Sequence, residues 1–488
     1  MSAQLVDLII ENAAVYDGEQ MTAQRVSVAI KGDTIVHVGE CHKYQAKDYI
    51  DAQGLVLAPG FIDVHTHDDL EVLRNPHMRS KVSQGVTTVI TGNCGISMVP
   101  TPINAQPVDP INLLGSKTDF IYPELNDYIA AFQAASPSVN LATLIGHTSL
   151  RSAVMRDLSK AATTDEIVVM QGLLNKAMQQ GALGLSSGLA YFNAKAASRD
   201  EVTALAKVVT PYEGVYTTHL RTEFNEILAA IDEAFDTAKS AQVPLIISHL
   251  KCAGKANWGR AGEVIQHIEK QRAAQDIGCD CYPYAASSST LDLNQVTADT
   301  DIFITWSKSH PEMAAKNLAD IAHIWQLSLL DAAKKLQPAG AVYHCMSEQD
   351  VSAFLSYEQS MVGSDGLPCD PHPHPRLWGA FPRVLGHYSR DENVLSLGLA
   401  IHKMTALPSR RFNLLKRGKI AKGYFADLVL FDPQKIIDTA SFNNPKSQAL
   451  GIEKVWVNGV LSFVTKANEE TIIKYGRAGR FLAREAKQ

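Results

Sequence analysis

The segment Leu57-Ala-Pro-Gly-Phe-Ile-Asp-Val-His-Thr-His67 reads as an apolar strand that ends in two histidines, His65 and His67. Residues i and i+2 of a strand project to the same side, so both imidazoles can grip one ion. The alternative is a chance pair of histidines near a strand end. The rest of the chain distinguishes the two, because a metal site needs further ligands that meet this pair.

Apolar runs of strand length alternate with helical patterns along the chain. The runs cover residues 61–67, 86–94, 139–147, 182–187, 215–219, 244–249, 277–283 and 361–365. Helices are predicted between them, for example over residues 164–180, 200–209, 225–241 and 260–275. Eight strand–helix repeats predict an α/β fold with a (β/α)8 TIM-like barrel, whose chemistry lies at the carboxyl ends of its strands.

Short β segments occur at both ends of the chain. Because sheet edges need partners, we expect the two ends to pair into one small β-sandwich domain beside the barrel. The predicted organisation is a small β domain whose N-terminal part is residues 1–56 and whose C-terminal part is residues 416–488. Between these parts lies the barrel, residues 57–415, with an insertion at about 284–342.

Composition narrows the function classes. The 488 residues are 46 % hydrophobic and 20 % charged, and the net charge is −6 without any block of Lys and Arg. This favours a small-molecule partner over nucleic acid. The N-terminus lacks the pattern of a signal peptide, and no run approaches the roughly 18 apolar residues of a membrane span. Seven cysteines without a Cys-x-x-Cys pair suit a reducing compartment, so we expect a cytoplasmic protein with no membrane partner. The sequence leaves the oligomeric state open.

The last residues of the predicted strands carry metal-binding side chains. They are His65 and His67 on the first strand, Cys94 on the second, His219 on the fifth, His249 on the sixth and Asp365 on the eighth. Six such groups at one rim favour a metal centre over chance placement. Taken alone, Asp365 is also compatible with a turn in Gly363-Ser-Asp-Gly. Cys94 alone is compatible with a buried thiol, but Gly92 and Gly95 free the backbone to bring its sulfur near an ion.

Ligand chemistry separates two metal positions. Cys94, His219 and His249 form a soft three-ligand set with an open position, as in a catalytic zinc site. The histidine pair of the first strand, with Asp365, can form a second, harder and weaker site. Zinc lowers the pKa of a bound water toward neutrality, and Asp365 is placed to take that proton and pass it to a leaving group. The predicted chemistry is metal-assisted hydrolysis with Asp365 as general base and acid.

Three more histidines lie near the predicted rim. His147 ends the third strand in Leu144-Ile-Gly-His-Thr, where it is either a site residue or a core histidine, and its position favours the site. His372 and His374 form a second His-x-His in Pro371-His-Pro-His-Pro-Arg376. They follow the rim in a proline-rich loop, which disfavours metal binding there.

The chain resembles the amidohydrolase superfamily and, within it, the D-aminoacylase family of N-acyl-D-amino-acid deacylases. The resemblance covers almost the whole chain, in Pro59-Gly-Phe-Ile-Asp-Val-His-Thr-His-Asp-Asp, Gly92-Asn-Cys-Gly, Gly184-Leu-Ser-Ser-Gly-Leu-Ala-Tyr191, Thr218-His-Leu-Arg-Thr-Glu223, Ser248-His-Leu-Lys-Cys, Tyr282-Pro-Tyr, Gly363-Ser-Asp-Gly-Leu-Pro and His374-Pro-Arg-Leu-Trp-Gly-Ala-Phe-Pro-Arg383. Hydantoinase- and dihydroorotase-like relatives usually carry a carboxylated lysine at the fourth strand. This chain has Gly184-Leu-Ser-Ser-Gly there and Cys94 instead.

The resemblance implies zinc-dependent hydrolysis of the amide bond of N-acyl-D-amino acids to a carboxylate and a free D-amino acid. It also implies one tight Zn²⁺ at Cys94, His219 and His249 and a weaker second position beside it. The substrate carries a free carboxylate, which the planar fork of Arg376 matches. Further residues expected at this clamp are Lys251, Tyr282 and Tyr191. Their alternative roles are a solvated lysine and two structural tyrosines.

In similar proteins, positions matching Tyr343 and Met346 line the side-chain pocket, with a serine near Ser288 close by. Residues 291–301 contain Asp292, Asp299 and Asp301 and no basic residue. This disfavours an acidic substrate side chain and favours a neutral or hydrophobic D-residue. Lys251 leaves the acidic alternative open, because a cation in the pocket can also meet a side-chain carboxylate.

Two other functions remain open from the sequence. A related amidohydrolase acting on a cyclic amide or a dipeptide has the same barrel and His-x-His. The other hypothesis is a non-catalytic scaffold that lost its metal, and the intact ligand set argues against it. The preference for D-substrates rests on the resemblance alone.

Overall fold

The computed structural model describes residues 4–100, 106–465 and 476–484. Eight parallel strands form its centre. In chain order they are Phe61–Asp63 (β1), Val86–Thr91 (β2), Asn140–Thr143 (β3), Gly184–Gly188 (β4), Val215–His219 (β5), Leu245–Ile247 (β6), Ile277–Cys281 (β7) and Ser360–Val362 (β8). Each overlaps one of the eight predicted runs, so the predicted (β/α)8 barrel is confirmed.

Helices follow the strands along the chain. They are Glu71–Arg74, Arg79–Val82, Leu125–Ala135, His147–Val154, Thr164–Gln179, Phe192–Lys195, Arg199–Val209, Ile227–Ala241, Ala261–Arg272, Glu348–Ser356, Arg376–Arg383, Leu397–Met404 and Ala406–Arg411. Local sequence sets their starts. Before Thr164–Gln179, the Thr163 backbone N–H donates to Glu166 (2.8 Å) and the Thr163 hydroxyl accepts from the Glu166 N–H (3.3 Å), which forms a capping box. No described helix is both long and apolar enough to cross a membrane.

Side chains alternate between the two faces of the barrel wall. On β6, Ile246 belongs to the cluster that fills the interior, whereas Leu245 and Ile247 pack in the outer cluster with the helices. All three are buried. A strand covered on both faces has no exposed side, which explains why β6, Leu245-Ile-Ile247, is uniformly apolar in the sequence.

Hydrogen bonding divides the ring of strands into two sheets. One contains β1 to β3, and the other contains β4 to β8 together with Ile145–Gly146, which continues the third strand and pairs with β4. A parallel bridge between Thr66 and Gly366 links the chain after β1 to the chain after β8. The first and last strands therefore meet at their carboxyl ends, where the predicted site lies.

The C-terminal segment 476–484 enters the barrel wall near β3. Leu141 donates to the Arg480 carbonyl (2.9 Å) and accepts from the Leu482 N–H (2.7 Å), while Arg484 N–H donates to the Gly181 carbonyl ahead of β4 (3.0 Å). The Leu482 side chain packs against the interior cluster. The segment thus bridges the third and fourth strands on the side opposite the site.

Further strands and helices lie between β7 and β8, and the limits of the insertion at about 284–342 remain predictions. Its four-stranded antiparallel sheet contains Ser287–Thr290, Ile302–Ser307, Lys316–Asn317 and Ala339–Tyr343, and its helices are Leu318–Trp325 and Leu329–Leu336. Ser287–Thr290 is an edge strand of this sheet and pairs with Ala339–Tyr343. The side of Ser287–Thr290 that has no strand partner faces Arg376, whose Nη2 donates to the Ser288 carbonyl at 3.2 Å.

A separate sheet contains β segments from both ends of the chain. Its strands are Gln4–Val15, Gln24–Lys31, Thr34–Gly39, Tyr44–Asp51, Val56–Pro59, Leu428–Phe431, Ile452–Val457 and Val460–Val464. Val56–Pro59 pairs antiparallel with Leu428–Phe431, which joins the two ends. Hydrogen bonds connect all eight strands into one mixed sheet with an apolar cluster that includes Ile10, Leu57 and Trp456. The domain limits at residues 57 and 416 remain predictions.

Candidate metal centre

The six predicted ligands lie together at the carboxyl ends of the barrel strands. Their ligand atoms form two groups within which all atoms lie inside 4.8 Å of one another. The first group is His65, His67, Cys94 and Asp365, and the second is Cys94, His219 and His249. Cys94 belongs to both groups, so the two predicted metal positions share its sulfur.

Short distances connect the two groups. The Cys94 sulfur lies 3.1 Å from His65 Nε2 and 3.3 Å from His249 Nε2. Asp365 Oδ1 lies 3.2 Å from His67 Nε2. Five of the six ligands are buried, and His219 is half-buried. The donor atoms therefore converge on a single enclosed space.

Three ligands have an unusual backbone. Cys94, His249 and Asp365 adopt positive φ angles of 52°, 35° and 49°, in the left-handed region that side-chain-bearing residues rarely occupy. Gly92, with φ of 75°, precedes Cys94 at a point where an added Cβ would lie 2.0 Å from the Leu144 carbonyl. Strained backbone of this kind concentrates at functional sites, where the surrounding fold holds it in place. The turns at the strand ends are thus built to aim these three ligands inward.

Two carboxylates behind the ligands set the orientation of the histidine rings. Asp280 Oδ1 lies 3.1 Å from His65 Nδ1 and accepts the His249 backbone N–H at 2.9 Å. Glu223 Oε1 lies 3.0 Å from His249 Nδ1. When each Nδ1 carries the proton, Nε2 is left with a free lone pair toward the centre, which is the usual arrangement behind metal-binding histidines.

No role was predicted for Asp280 or Glu223 from the sequence. Asp280 is the one charged residue inside the strand Ile277-Gly-Cys-Asp-Cys281, and Glu223 ends the quoted motif Thr218-His-Leu-Arg-Thr-Glu. A charged side chain within a fully buried strand needs a partner, and that signal was available in the sequence for Asp280.

The electrostatics of the centre favour an ionised thiol. Burial alone would raise the pKa of Cys94, but the charges of His65 and His249 outweigh it and hold the pKa well below its ordinary value. Burial likewise opposes protonation of His249, yet Cys94 and Glu223 raise its pKa to about 9. For Asp365, burial is outweighed by Arg376 and His65, which hold the pKa well below the ordinary value. Thiolate and carboxylate here are balanced by positive charge.

These residues fit a divalent metal ion. A thiolate with imidazoles is the ligand set of zinc, and metal binding replaces the protons that the histidines otherwise carry. Among the described residues, His67 Nδ1 and His219 Nδ1 are buried without a hydrogen-bond partner. Buried polar atoms are rarely left unpaired, so the centre is incomplete as a purely protein network.

The predicted carboxylate clamp lies next to the centre. Arg376 Nη2 is 2.8 Å from Asp365 Oδ2, and the guanidinium lies 4.5 Å from the centre of the Tyr282 ring. The Lys251 ammonium is 5.8 Å from the same ring, but it is already paired with Glu223 Oε1 at 2.5 Å. The structure therefore brings all three side chains together, with Lys251 engaged behind His249.

The predicted side-chain pocket lies on the insertion side. The Met346 sulfur is 4.0 Å from the Tyr282 hydroxyl, and Tyr343 is buried with its hydroxyl bonded to the Thr290 carbonyl at 3.0 Å. Ser288 is buried, and its hydroxyl has no partner among the described residues. On the opposite side, the Tyr191 ring lies 4.9 Å from the His219 ring.

One further acid of this pocket was not found from the sequence. Asp109 lies in the segment after β2, and its Oδ1 is buried without a partner among the described residues. Burial raises the pKa of its carboxyl, Asp292 adds to the rise, and a hydrogen bond with Thr290 opposes it. Of the three acids predicted near the pocket, Asp299 and Asp301 are exposed, whereas the Asp292 N–H donates to the Tyr343 hydroxyl at 2.8 Å.

The placement of His147 in the site is wrong. Its Nε2 lies 2.8 Å from Glu201 Oε1, in a buried network with Arg151, and it belongs to neither ligand group. His372 and His374 also lie outside both ligand groups. His147 is a core histidine because a buried carboxylate on the helix Arg199–Val209 satisfies it.

A (β/α)8 barrel with a thiolate–imidazole–carboxylate centre at its carboxyl rim defines the class of metal-dependent hydrolases. A model of the amidohydrolase family matches residues 48–463. The D-aminoacylase of Alcaligenes xylosoxydans xylosoxydans is 43% identical over 484 residues, which are 99% of each chain. The N-acyl-D-aspartate deacylase of the same organism is 42% identical and covers 93% of this chain and 91% of that one.

Solved structures agree. A D-aminoacylase described with a binuclear metal centre superposes with a TM-score of 0.95 at 43% identity and covers 98% of this chain and 100% of that one. The N-acyl-D-glutamate deacylase of Bordetella bronchiseptica, complexed with zinc and a phosphonate that mimics the tetrahedral intermediate, gives 0.94 at 38% identity over 99% and 100% of the two chains. The chain belongs to the amidohydrolase family, within its D-aminoacylase branch.

Proposed function

We propose that this chain is a zinc-dependent hydrolase that cleaves the amide bond of N-acyl-D-amino acids and releases a carboxylate and a free D-amino acid. The observation that carries the proposal is the shared position of Cys94 between the two ligand groups, with Asp365 in one of them. The whole-chain similarity to deacylases of D-amino-acid derivatives supports it.

The two ligand groups support two metal positions. Cys94, His219 and His249 are the residues that would hold one Zn²⁺ tightly, because thiolate and imidazole suit zinc. His65, His67 and Asp365, with the same sulfur, would hold a weaker second ion. Zinc held by Cys94, His219 and His249 would polarise the acyl carbonyl and lower the pKa of a bound water.

Asp365 moves the proton. Its pKa is held well below the ordinary value, so it is a carboxylate near neutral pH and can accept a proton from the attacking water. Its Oδ1 faces the centre beside His67 Nε2, and its Oδ2 is held by Arg376. After attack on the acyl carbon, the same carboxyl returns the proton to the departing amine nitrogen. The amide C–N bond breaks, and the C–O bond to water's oxygen replaces it.

Arg376 is the proposed anchor of the substrate carboxylate. Its guanidinium is buried, and Nε and Nη1 have no hydrogen-bond partner among the described residues. A buried cation with unsatisfied donors is a strong site for a carboxylate. Tyr282 supports the guanidinium face, and Lys251 adds positive charge from the side of Glu223.

A neutral or hydrophobic D-residue is the proposed substrate side chain. Met346, Tyr343 and Tyr191 offer apolar contact, and Ser288 offers one hydroxyl. Positive charge in the proposed pocket comes from Arg376. On the insertion side, Asp109 hydrogen-bonds with Thr290, and Asp292 lies beside Tyr343. A side-chain carboxylate pointing toward these acids would be repelled.

The test is a substrate screen with purified, zinc-loaded protein. We expect hydrolysis of N-acetyl-D-leucine and N-acetyl-D-methionine and little turnover of their L-enantiomers. Hydantoin and dihydrouracil serve as cyclic amides, and an Asp365→Asn variant serves as the inactive control. Activity confined to L-substrates or to cyclic amides would refute the proposal.

We also propose a cytoplasmic location. All seven cysteines are free thiols, as suits a reducing compartment. Cell fractionation of a strain that expresses the tagged full chain tests this directly, and recovery in a secreted fraction would contradict it.

A further inference from the structure

The second His-x-His of the chain lies outside the metal centre, yet it is buried against the arginine of the proposed carboxylate clamp. We propose that His374 is a positioning residue that holds Arg376 in the orientation that binds the α-carboxylate of the substrate. This inference rests on the proposed function and adds a residue to its recognition machinery.

The ring of His374 uses both nitrogens. Nδ1 accepts the backbone N–H of Arg376 at 3.0 Å, and Nε2 lies 3.1 Å from the carbonyl of Ala286. Because Nδ1 is an acceptor, the single proton of a neutral ring belongs on Nε2, from which it is donated to Ala286. Burial and the charge of Arg376 hold the pKa of His374 well below its ordinary value, which keeps the ring neutral. One tautomer therefore satisfies both contacts.

Arg376 is fixed at both ends by this arrangement. Its backbone is held by His374 at the start of the helix Arg376–Arg383. Its Nη2 donates to the Ser288 carbonyl at 3.2 Å and pairs with Asp365 at 2.8 Å. Two anchors on one residue leave the guanidinium little freedom, so its remaining donors point in a set direction.

Both histidine and arginine bond to the start of the insertion. The two acceptors, the Ala286 and Ser288 carbonyls, are two residues apart along one extended segment. Carbonyls at this spacing point to the same side of a strand. Ser287–Thr290 is an edge strand of the insertion sheet, and His374 with Arg376 satisfies its otherwise open side. The side chains of His374 and Arg376 therefore connect the insertion to the start of the helix Arg376–Arg383.

The small β domain closes the other side of the His374 ring. The Phe442 ring lies 5.0 Å from the ring of His374, and the Tyr284 ring lies 5.2 Å from it on another side. His372 Nε2 lies 2.6 Å from the Phe442 carbonyl. The two histidines of the motif thus have different partners. His372 contacts the segment around Phe442, which packs against the His374 ring, and His374 binds the backbone of Arg376.

The expected role of His374 is to improve recognition of the negatively charged substrate carboxylate. With His374 in place, Arg376 is oriented before the substrate arrives, which lowers the entropy cost of binding a carboxylate. Loss of His374 would free the Arg376 backbone and weaken the grip on the carboxylate. His374 belongs to neither ligand group, so the larger effect should fall on binding of the carboxylate, with a smaller effect on kcat through the Arg376–Asp365 pair.

The experiment compares N-acetyl-D-leucine with N-acetyl-D-leucinamide, which lacks the carboxylate charge, on the zinc-loaded full chain. For His374→Ala we expect KM for the acid to rise about tenfold with a smaller change in kcat, so the acid-over-amide ratio of kcat/KM falls about tenfold. His374→Asn keeps an acceptor near the position of Nδ1, and we expect it to recover part of the ratio. His267→Ala, on a surface helix where His267 pairs with Asp232, is the matched control and should keep the wild-type ratio.

Calorimetric binding of D-leucine and D-leucinamide gives a readout that needs no turnover. A preference for the acid that survives His374→Ala would overturn the inference, and so would an equal loss for acid and amide, because that pattern indicates a purely structural role. If wild-type protein hydrolyses neither N-acetyl compound, the proposed function fails. The binding comparison still decides whether His374 acts through Arg376.

Discussion

Arg376 Nη2 lies 2.8 Å from Asp365 Oδ2, so the proposed anchor of the substrate and the proposed general base form one buried ion pair. The Asp365 carboxylate can contact both the metal ligands and Arg376 because each of its two oxygens has a different partner. Oδ1 faces the metal ligands, and Oδ2 faces the substrate arginine. In the proposed mechanism, recognition of the carboxylate and activation of water therefore both depend on Asp365.

Asp365→Asn should lower kcat by roughly 10²–10⁴-fold, since an amide cannot accept and return a proton. Zinc at Cys94, His219 and His249 should remain bound, because Asp365 is absent from that ligand group. Steady-state kinetics with metal analysis of the same sample checks both points. Near-native kcat in a zinc-loaded variant would assign the proton transfer to another group.

Cys94→Ala should lose bound zinc, because its sulfur belongs to both ligand groups and no other thiol is placed to replace it in either group. Elemental analysis after dialysis measures the loss. Cys41→Ala is the matched control, since Cys41 is a buried thiol of the small β domain and its removal should leave the metal content unchanged. Full metal retention in Cys94→Ala would place the tight site elsewhere.

Zinc affinity should rise with pH up to about pH 9. In the metal-free centre, hydrogen bonds to Asp365 and Cys94 outweigh burial and raise the pKa of His67 to about 9, and that of His249 is raised to about 9 as well. Below these values zinc must displace protons, and above them it need not, so binding releases protons at neutral pH. Competition with a fluorescent chelator between pH 6 and pH 9 measures the trend. A flat profile would contradict these protonation states.

Asp109→Asn should widen the substrate range toward acidic side chains. Removing its charge reduces repulsion near Thr290, so we expect kcat/KM for N-acetyl-D-glutamate to rise about tenfold relative to N-acetyl-D-leucine, equivalent to about 1.4 kcal/mol. Asp299→Asn is the control, because Asp299 is exposed. An unchanged ratio in Asp109→Asn would remove this residue from the selectivity of the pocket.

Deletion of residues 476–488 should destabilise the barrel. The segment 476–484 hydrogen-bonds to Leu141 and Gly181, and Leu482 packs against the interior cluster. Loss of these contacts should cost at least about 2 kcal/mol of unfolding free energy, measurable by denaturant titration. Deletion of residues 485–488 alone is the control. Equal stability of the two truncated proteins would show that the segment contributes nothing to the barrel wall.

Most of the barrel could be predicted from local patterns. Each of the eight strands overlaps a predicted run of strand length, and five of these runs end in a candidate ligand. Parallel strands place those ends at one rim, so reading the last residue of each run indicated His67, Cys94, His219, His249 and Asp365 together. His147 was misassigned by the same rule, because the end of a strand does not reveal that Glu201 already satisfies the ring.

The residues that support the site could not be read in this way. Asp280 is 215 residues from His65, and Asp109 meets Thr290 only after the insertion has folded back over the rim. Contacts at such separations leave no periodic pattern. The same is true of the C-terminal segment, whose pairing with Leu141 joins positions more than 300 residues apart.

The sequence by itself determined the barrel and indicated six candidate metal ligands, because burial on two faces and the end of each strand are local properties of the chain. Only the tertiary structure decided that Cys94 is shared between two ligand groups, that Asp365 is paired with Arg376 and that His374 supports that arginine. Those relationships depend on the directions of side chains from separate strands and loops, which the three-dimensional packing alone sets.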